Sequence, residues 1–371
     1  MEGFLYERKG IIMRRGSLVF TAFLLIFSLL LPLPATAAHY LDNSVTQVFS
    51  YLERQGEPVD QVIAARIAGE EPDQGAIRSL RNNVGQLAEG SADIAGISNY
   101  ILALTASGTD PRDCAGINLI DLLCTSSLLQ NKSPRDLSLA LIALNSGDFS
   151  PSVEGAMTPE EMEQTLLSLQ REDGGFGQTK NAMSDPESTA LAILALAPKG
   201  NEAVLAAAVE YLSGAIQADG SFLSTAGEET STSLSTTVAA LYAAGSSIQD
   251  ERFVKEGRTL LDRLFSYQNE DNGFCRISGE KSDTTSSLWA LYALESVRSG
   301  QAVLDFTGIE LTPYQPSALK TYGSFILMTI GMIAVVYILL LLSRHLGRKI
   351  DVKRAKVKSD KIEKTDLDKN E

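Results

Sequence analysis

Histidine and tryptophan are almost missing from this chain of 371 residues, which holds two of the first and one of the second. The histidines stand at the edges, His39 and His345, so a zinc site of the Asp, Cys and His type has no imidazole to draw on inside the body of the chain, and no metal or other cofactor is expected. Cysteine is scarce too: Cys114, Cys124 and Cys275 are too few for a disulfide-built scaffold. They leave room for one bridge, for which Cys114 and Cys124 are the candidate pair, while Cys275 reads as a packed small residue. Aromatic residues make up 7% of the chain, so a pocket walled by aromatic faces is difficult to assemble. Positive charge is short as well. Between residues 39 and 320, 38 acidic side chains face 18 basic ones, which argues against nucleic acid and anionic polymers as partners.

Apolar sequence, by contrast, is abundant at both ends. Arg14 and Arg15 precede the run LVFTAFLLIFSLLLPL, and Ala35 and Ala37 fit a small-residue cleavage pattern, so residues 1–37 read as a secretory signal peptide with Met13 as an alternative start. At the other end Phe325 to Leu342 is FILMTIGMIAVVYILLLL, eighteen residues without a charge, followed by Arg344, Arg348, Lys349, Lys353 and Arg354. The expected order is a signal peptide, an exported body over 38–299, a linker over 300–321, a transmembrane helix over 322–343 and a charged cytoplasmic tail over 344–371. That order predicts a single-pass protein held in the cell membrane with its C-terminus inside.

Within the body a repeat organises the chain. Apolar helical runs end at Leu104, Leu144, Leu196, Ala244 and Leu294, spaced by 40, 52, 48 and 50 residues. Before the last three stand amphipathic segments, EEMEQTLLSLQ, AVLAAAVEYLSGAIQ and EGRTLLDRLFSYQ. The joints repeat as QREDGGF, QADGSF and QNEDNGF, in which Gly174, Gly220 and Gly273 suit a tight turn and the next aromatic can plug the hairpin. Three weaker pairs precede these. Six hairpins, each needing neighbours to cover its apolar helix, predict an all-α closed ring, an (α/α)6 toroid, followed by the one C-terminal transmembrane helix.

The Gln, acid, Gly and aromatic joint, with helices of the form STALAILALAP, resembles the repeat of the terpenoid cyclase and protein prenyltransferase toroids over roughly residues 75–296. The segment order looks most like exported bacterial toroid proteins of that superfamily, and the transcobalamin-type cobalamin carriers share the same helical barrel. In class II cyclases of the squalene type a DxDDTA stretch holds the acid that protonates the polyene. The segment DPESTA falls in that register: Asp185 aligns with the first acid and Glu187 with the protonating one, while Ser188 replaces the third.

The repeat also offers a plainer account of these residues. Counting back eleven positions from each inner helix end gives Asp93, Ser133, Asp185, Ser233 and Asp283, all good N-cap residues. Only Glu187 lacks a counterpart, its sister positions being Ala95, Arg135, Ser235 and Thr285. Parallel inner helices would bring Asp93, Asp185, Glu187, Ser188, Ser233, Ser235, Asp283 and Thr285 to one polar end of the ring, the natural place for a ligand. On these grounds the expected role is noncatalytic binding of a small molecule, corrinoid or isoprenoid-like, or of an envelope protein partner. Two alternatives stand beside it: an enzyme using Glu187 with Asp185, either a degenerate cyclase or prenyltransferase-like toroid or a carbohydrate-active barrel, and a structural part of a surface complex.

Overall fold

The computed structural model describes residues 35–89, 92–224, 227–316 and 318–367. The signal-peptide segment before residue 35 and the last four residues of the tail lie outside them. The chain divides into two units, Met1–Tyr314 and Gln315–Glu371.

In the first unit the helices alternate between two roles. The outer ones are α1 (Ala35–Gln55), α3 (Gln74–Asn83), α6 (Leu119–Cys124), α8 (Pro159–Leu167), α10 (Glu202–Ala215) and α12 (Leu260–Leu264). The inner ones are α2 (Pro58–Ala68), α5 (Ile94–Ala106), α7 (Pro134–Asn145), α9 (Pro186–Leu196), α11 (Ser231–Ala243) and α13 (Thr284–Ser299), with a short turn of helix, α4 (Gly85–Glu89), between the second pair. Each inner helix packs on the next in the order α2, α5, α7, α9, α11, α13, and α13 packs back on α2. The ring is therefore closed, as the hairpin count predicts. Outer helices α3, α6, α8, α10 and α12 each lean on the inner helix before them, and α1 covers α13 and α2.

Composition explains the two roles. In α9 every residue from Ser188 to Leu196 is buried, so the helix is apolar all round and small enough, through its alanines, for neighbours to approach on both sides. Polar side chains gather at the helix starts. Asp93, Ser133, Asp185 and Asp283 each accept a hydrogen bond from a first-turn amide and cap α5, α7, α9 and α13 as predicted. Ser233 does not. The cap of α11 is Thr230, because this helix begins three residues earlier than the eleven-residue count allows, and Ser233 donates its amide to that cap. Asp185→Ala is expected to cost about 1 kcal/mol of stability, read by urea denaturation, through loss of the cap.

The joints hold together by the same device in two copies. Asp173 accepts from the Gly175 amide and the Ser184 hydroxyl, and Asp271 from the Gly273 amide and the Ser282 hydroxyl. The aromatic that follows is fully buried, and its amide donates to Thr189 in the first case (Phe176) and Ser287 in the second (Phe274). Gly174 and Gly220 adopt the left-handed conformation expected of them, but in the third copy that position belongs to Asn272, not Gly273. Asparagine tolerates this region better than other side chains, so the turn survives the exchange.

Two short strand pairs complete the unit. Strand β2 (Phe274–Cys275) runs antiparallel to β3 (Ser282–Asp283), which leads into α13. Strand β1 (Thr109–Cys114) pairs in parallel with β4 (Thr312–Tyr314). That pairing, with the Phe306 amide donating to Ser146, binds residues 301–314 onto the ring, where the sequence reading places a linker. Cys114 and Cys124 are separate buried thiols, so the predicted bridge is not formed. Each is packed in the apolar core, and burial pushes the Cys114 thiol up to about 11 and that of Cys124 to about 12.

The second unit is one helix, α14 (Ala318–Leu367). Its stretch Ile326–Ala355 is long and apolar enough to cross a membrane by length and composition. The helix continues through the charged segment after residue 343, which has neither Gly nor Pro beyond Gly347 to interrupt it.

Candidate functional site

Neighbouring inner helices meet start to start and end to end, which makes them parallel. Glu187 at the start of α9 faces Arg135 at the start of α7 and receives a hydrogen bond from Ser233 in the first turn of α11. Thr284, the first residue of α13, hydrogen-bonds to Asp60 in the first turn of α2. At the far ends the Asn145 amide of α7 donates to the Ala195 carbonyl of α9. All six N-termini thus open on one mouth.

Two carboxyls at this mouth are perturbed in the same direction. Burial raises Glu187 above its ordinary value against the pull of Arg135; Asp185 adds to the rise, and Ser233 and Arg276 oppose it. Burial likewise raises Asp60, against hydrogen bonds from Thr284 and the Glu57 backbone, with the Glu57 charge adding to the rise. In a ring of six, α2 and α9 are three places apart in either direction. Asp60 and Glu187 therefore stand on opposite sides of the mouth.

The charge of Asp60 reaches into the ring as far as the aromatic residues of α13. Tyr292 of α13 is buried, its ionisation opposed first by burial and then by Asp60, and Trp289 meets it edge to face at 4.9 Å between ring centroids. Tyr100 of α5 is half-buried, and burial together with Glu57 raises its hydroxyl.

Of the residues picked from the sequence, Glu187, Asp185, Ser188 and Ser233 come together. Asp185 is 2% exposed and caps α9, and the Ser188 hydroxyl donates to the same carboxylate. Asp93 and Asp283 cap other inner helices, Thr285 is exposed on α13, and Ser235 is buried with its hydroxyl unpaired. Asp60, Arg276, Tyr100 and Tyr292 were not legible as site residues. Arg135 was visible as the sister of Glu187, but only the closed ring sets the two side by side. Among the described residues no three His, Cys, Asp or Glu side chains cluster as metal ligands.

No family model and no characterised protein matches the chain by sequence. Among solved structures it is similar to unsaturated glucuronyl hydrolase from Bacillus sp. GL1, responsible for glycosaminoglycan degradation, with a TM-score of 0.49 and 13% identity over 73% of this chain and 100% of that one. A structure of UGL with dGlcA-Glc-Rha-Glc gives a TM-score of 0.49 at 13% identity, over 72% of this chain and 99% of that one. A protein from Actinoplanes gives 0.41 at 14% identity, over 70% and 99%. The expectation of a noncatalytic binding protein is corrected at this point. The mouth holds two opposed carboxyls that burial biases toward protonation, which a binding rim does not require.

Proposed function

We propose that the chain is a carbohydrate-active hydrolase that cleaves a short, acidic oligosaccharide at the mouth of the ring. The observation that supports this most is the pair of raised carboxyls on opposing helices, Asp60 and Glu187. Hydrolysis of a glycosidic bond needs one carboxylic acid to protonate the departing oxygen and one carboxylate to take a proton from the attacking water. The environments divide these roles. Burial raises both carboxyls, but Arg135 and Arg276 favour the ionised form of Glu187, which makes it the base, while burial with the Glu57 charge added to it keeps the proton on Asp60, which makes it the acid. The C–O bond breaks as water adds to the sugar carbon, and the proton from Asp60 leaves with the released alcohol.

The same two guanidinium groups suit a sugar carboxylate. The surface as a whole is acidic and repels long polyanions, so the substrate class is a short oligosaccharide whose terminal uronate reaches the arginines, in keeping with the glucuronyl substrates named for the similar hydrolase. Protonation of a polyene, the chemistry of the cyclases whose repeat this one resembles, is less suited to the site: Ser188 replaces the third acid and a single tryptophan is available for carbocation stabilisation. The ring is placed outside the cell, exported by the N-terminal signal and anchored by α14.

The test is sugar release by the full chain from uronate-terminated oligosaccharides and from neutral ones of equal length. Release from the acidic set alone is expected, and Arg135→Leu raises KM about tenfold with a smaller change in kcat, as loss of a charge-assisted contact to bound substrate does. No release from either set would overturn the proposal.

A further inference from the structure

At the end of the ring opposite the mouth lies a cavity of about 430 Å³, within the range of small-molecule sites. Its walls come from the C-terminal halves of three inner helices, through Ile142 of α7, Leu194 of α9 and Ala239 of α11, and from the middle and end of α13, through Trp289, Tyr292 and Ser296. The last three recur at helical spacing, so one stripe of α13 faces the space. The outer wall is the segment bound back onto the ring after α13, through Ala302, Val303 and Leu304.

One feature sets this cavity apart from a packing defect. Ser296 is 0% exposed and its hydroxyl has no hydrogen-bond partner, although it lines the cavity. A buried hydroxyl left unpaired is costly, and a ligand oxygen would satisfy it. The other polar lining groups discriminate by charge. Asp148 and Asp305 outnumber Lys199 at the exposed rim, so an anion is disfavoured, and the apolar walls disfavour a free sugar.

We infer that this cavity is a second ligand site, separate from the mouth, for a neutral alicyclic or aromatic alcohol whose hydroxyl pairs with Ser296 and whose apolar body packs on Trp289 and Tyr292. The ligand would contact Tyr292, which also senses the charge of Asp60 at the mouth.

The single tryptophan makes the site directly observable. The full chain in detergent is titrated with borneol, a neutral bicyclic alcohol, and with camphorsulfonate, an anion of similar shape, while Trp289 emission is recorded. A saturable change with borneol, at least about tenfold weaker for camphorsulfonate, is expected, with Ser296→Ala weakening borneol about tenfold through loss of the hydrogen bond. Ala302→Phe, at an exposed position of the outer wall, is the second variant and fills the cavity, with the same weakening expected. No saturable change in the unaltered chain, equal binding of the anion, or undiminished binding by both folded variants would overturn the inference.

Discussion

Glu187→Gln is expected to lower turnover by about 10³-fold, the share that a positioned acid or base contributes, while leaving the fold intact. It is also expected to make the protein more stable at neutral pH. The Glu187 carboxyl titrates higher in the folded chain than in the unfolded one, because burial outweighs the help of Arg135 and Arg276. Between the unfolded and folded values the folded state binds more protons, so stability falls as pH rises through that window. Glutamine removes this loss, and the gain appears above the window and vanishes below it. Paired assays of turnover and thermal unfolding at two pH values check both halves. A residue serving only as part of the helix start would show unchanged turnover, and a structural salt bridge would show lower stability.

Phe176→Ala is expected to cost about 3–5 kcal/mol, the range for emptying a fully buried aromatic site. The reason is local. Phe176 fills the core beside the start of α9, its amide donates to Thr189, and its carbonyl accepts from the Asp185 amide. Removing the ring leaves a void under the hairpin joint that these backbone bonds hold rigid, so the site collapses little. Denaturant unfolding followed by far-ultraviolet circular dichroism measures the loss. If Phe176 were a ligand platform instead of a plug, stability would hardly change and substrate affinity would fall.

These two residues also mark how much was legible in the sequence. The joints QREDGGF, QADGSF and QNEDNGF state their own structure, since acid, turn residue and aromatic each have one local task, and the plug at Phe176 follows from them. The caps Asp93, Ser133, Asp185 and Asp283 were equally local. Where a longer helix shifts the count, as at Thr230, the reading slips by one turn.

Asp60 shows the other limit. It lies in α2, outside the five apolar runs ending at Leu104, Leu144, Leu196, Ala244 and Leu294, and its standing depends on ring closure, which sets α2 across from α9. The orphaned status of Glu187 was readable, as the one carboxylate its sister helices do not repeat. Its partner was not, because opposition across a ring is a distance in space with no counterpart in spacing. The thiols teach the same lesson, for the nine residues between Cys114 and Cys124 say nothing of where each side chain is buried.

The most direct measurement is the pH dependence of kcat/KM for release of a terminal uronate by the full chain. Asp60 must hold its proton and Glu187 must have lost its own, so a bell-shaped profile is predicted, with both limbs above the ordinary carboxylate range. Asp60→Asn, with no proton to lose, is predicted to be slower and to lack the alkaline limb. A profile without either limb, or one that Asp60→Asn leaves as it was, would contradict the two-carboxyl mouth.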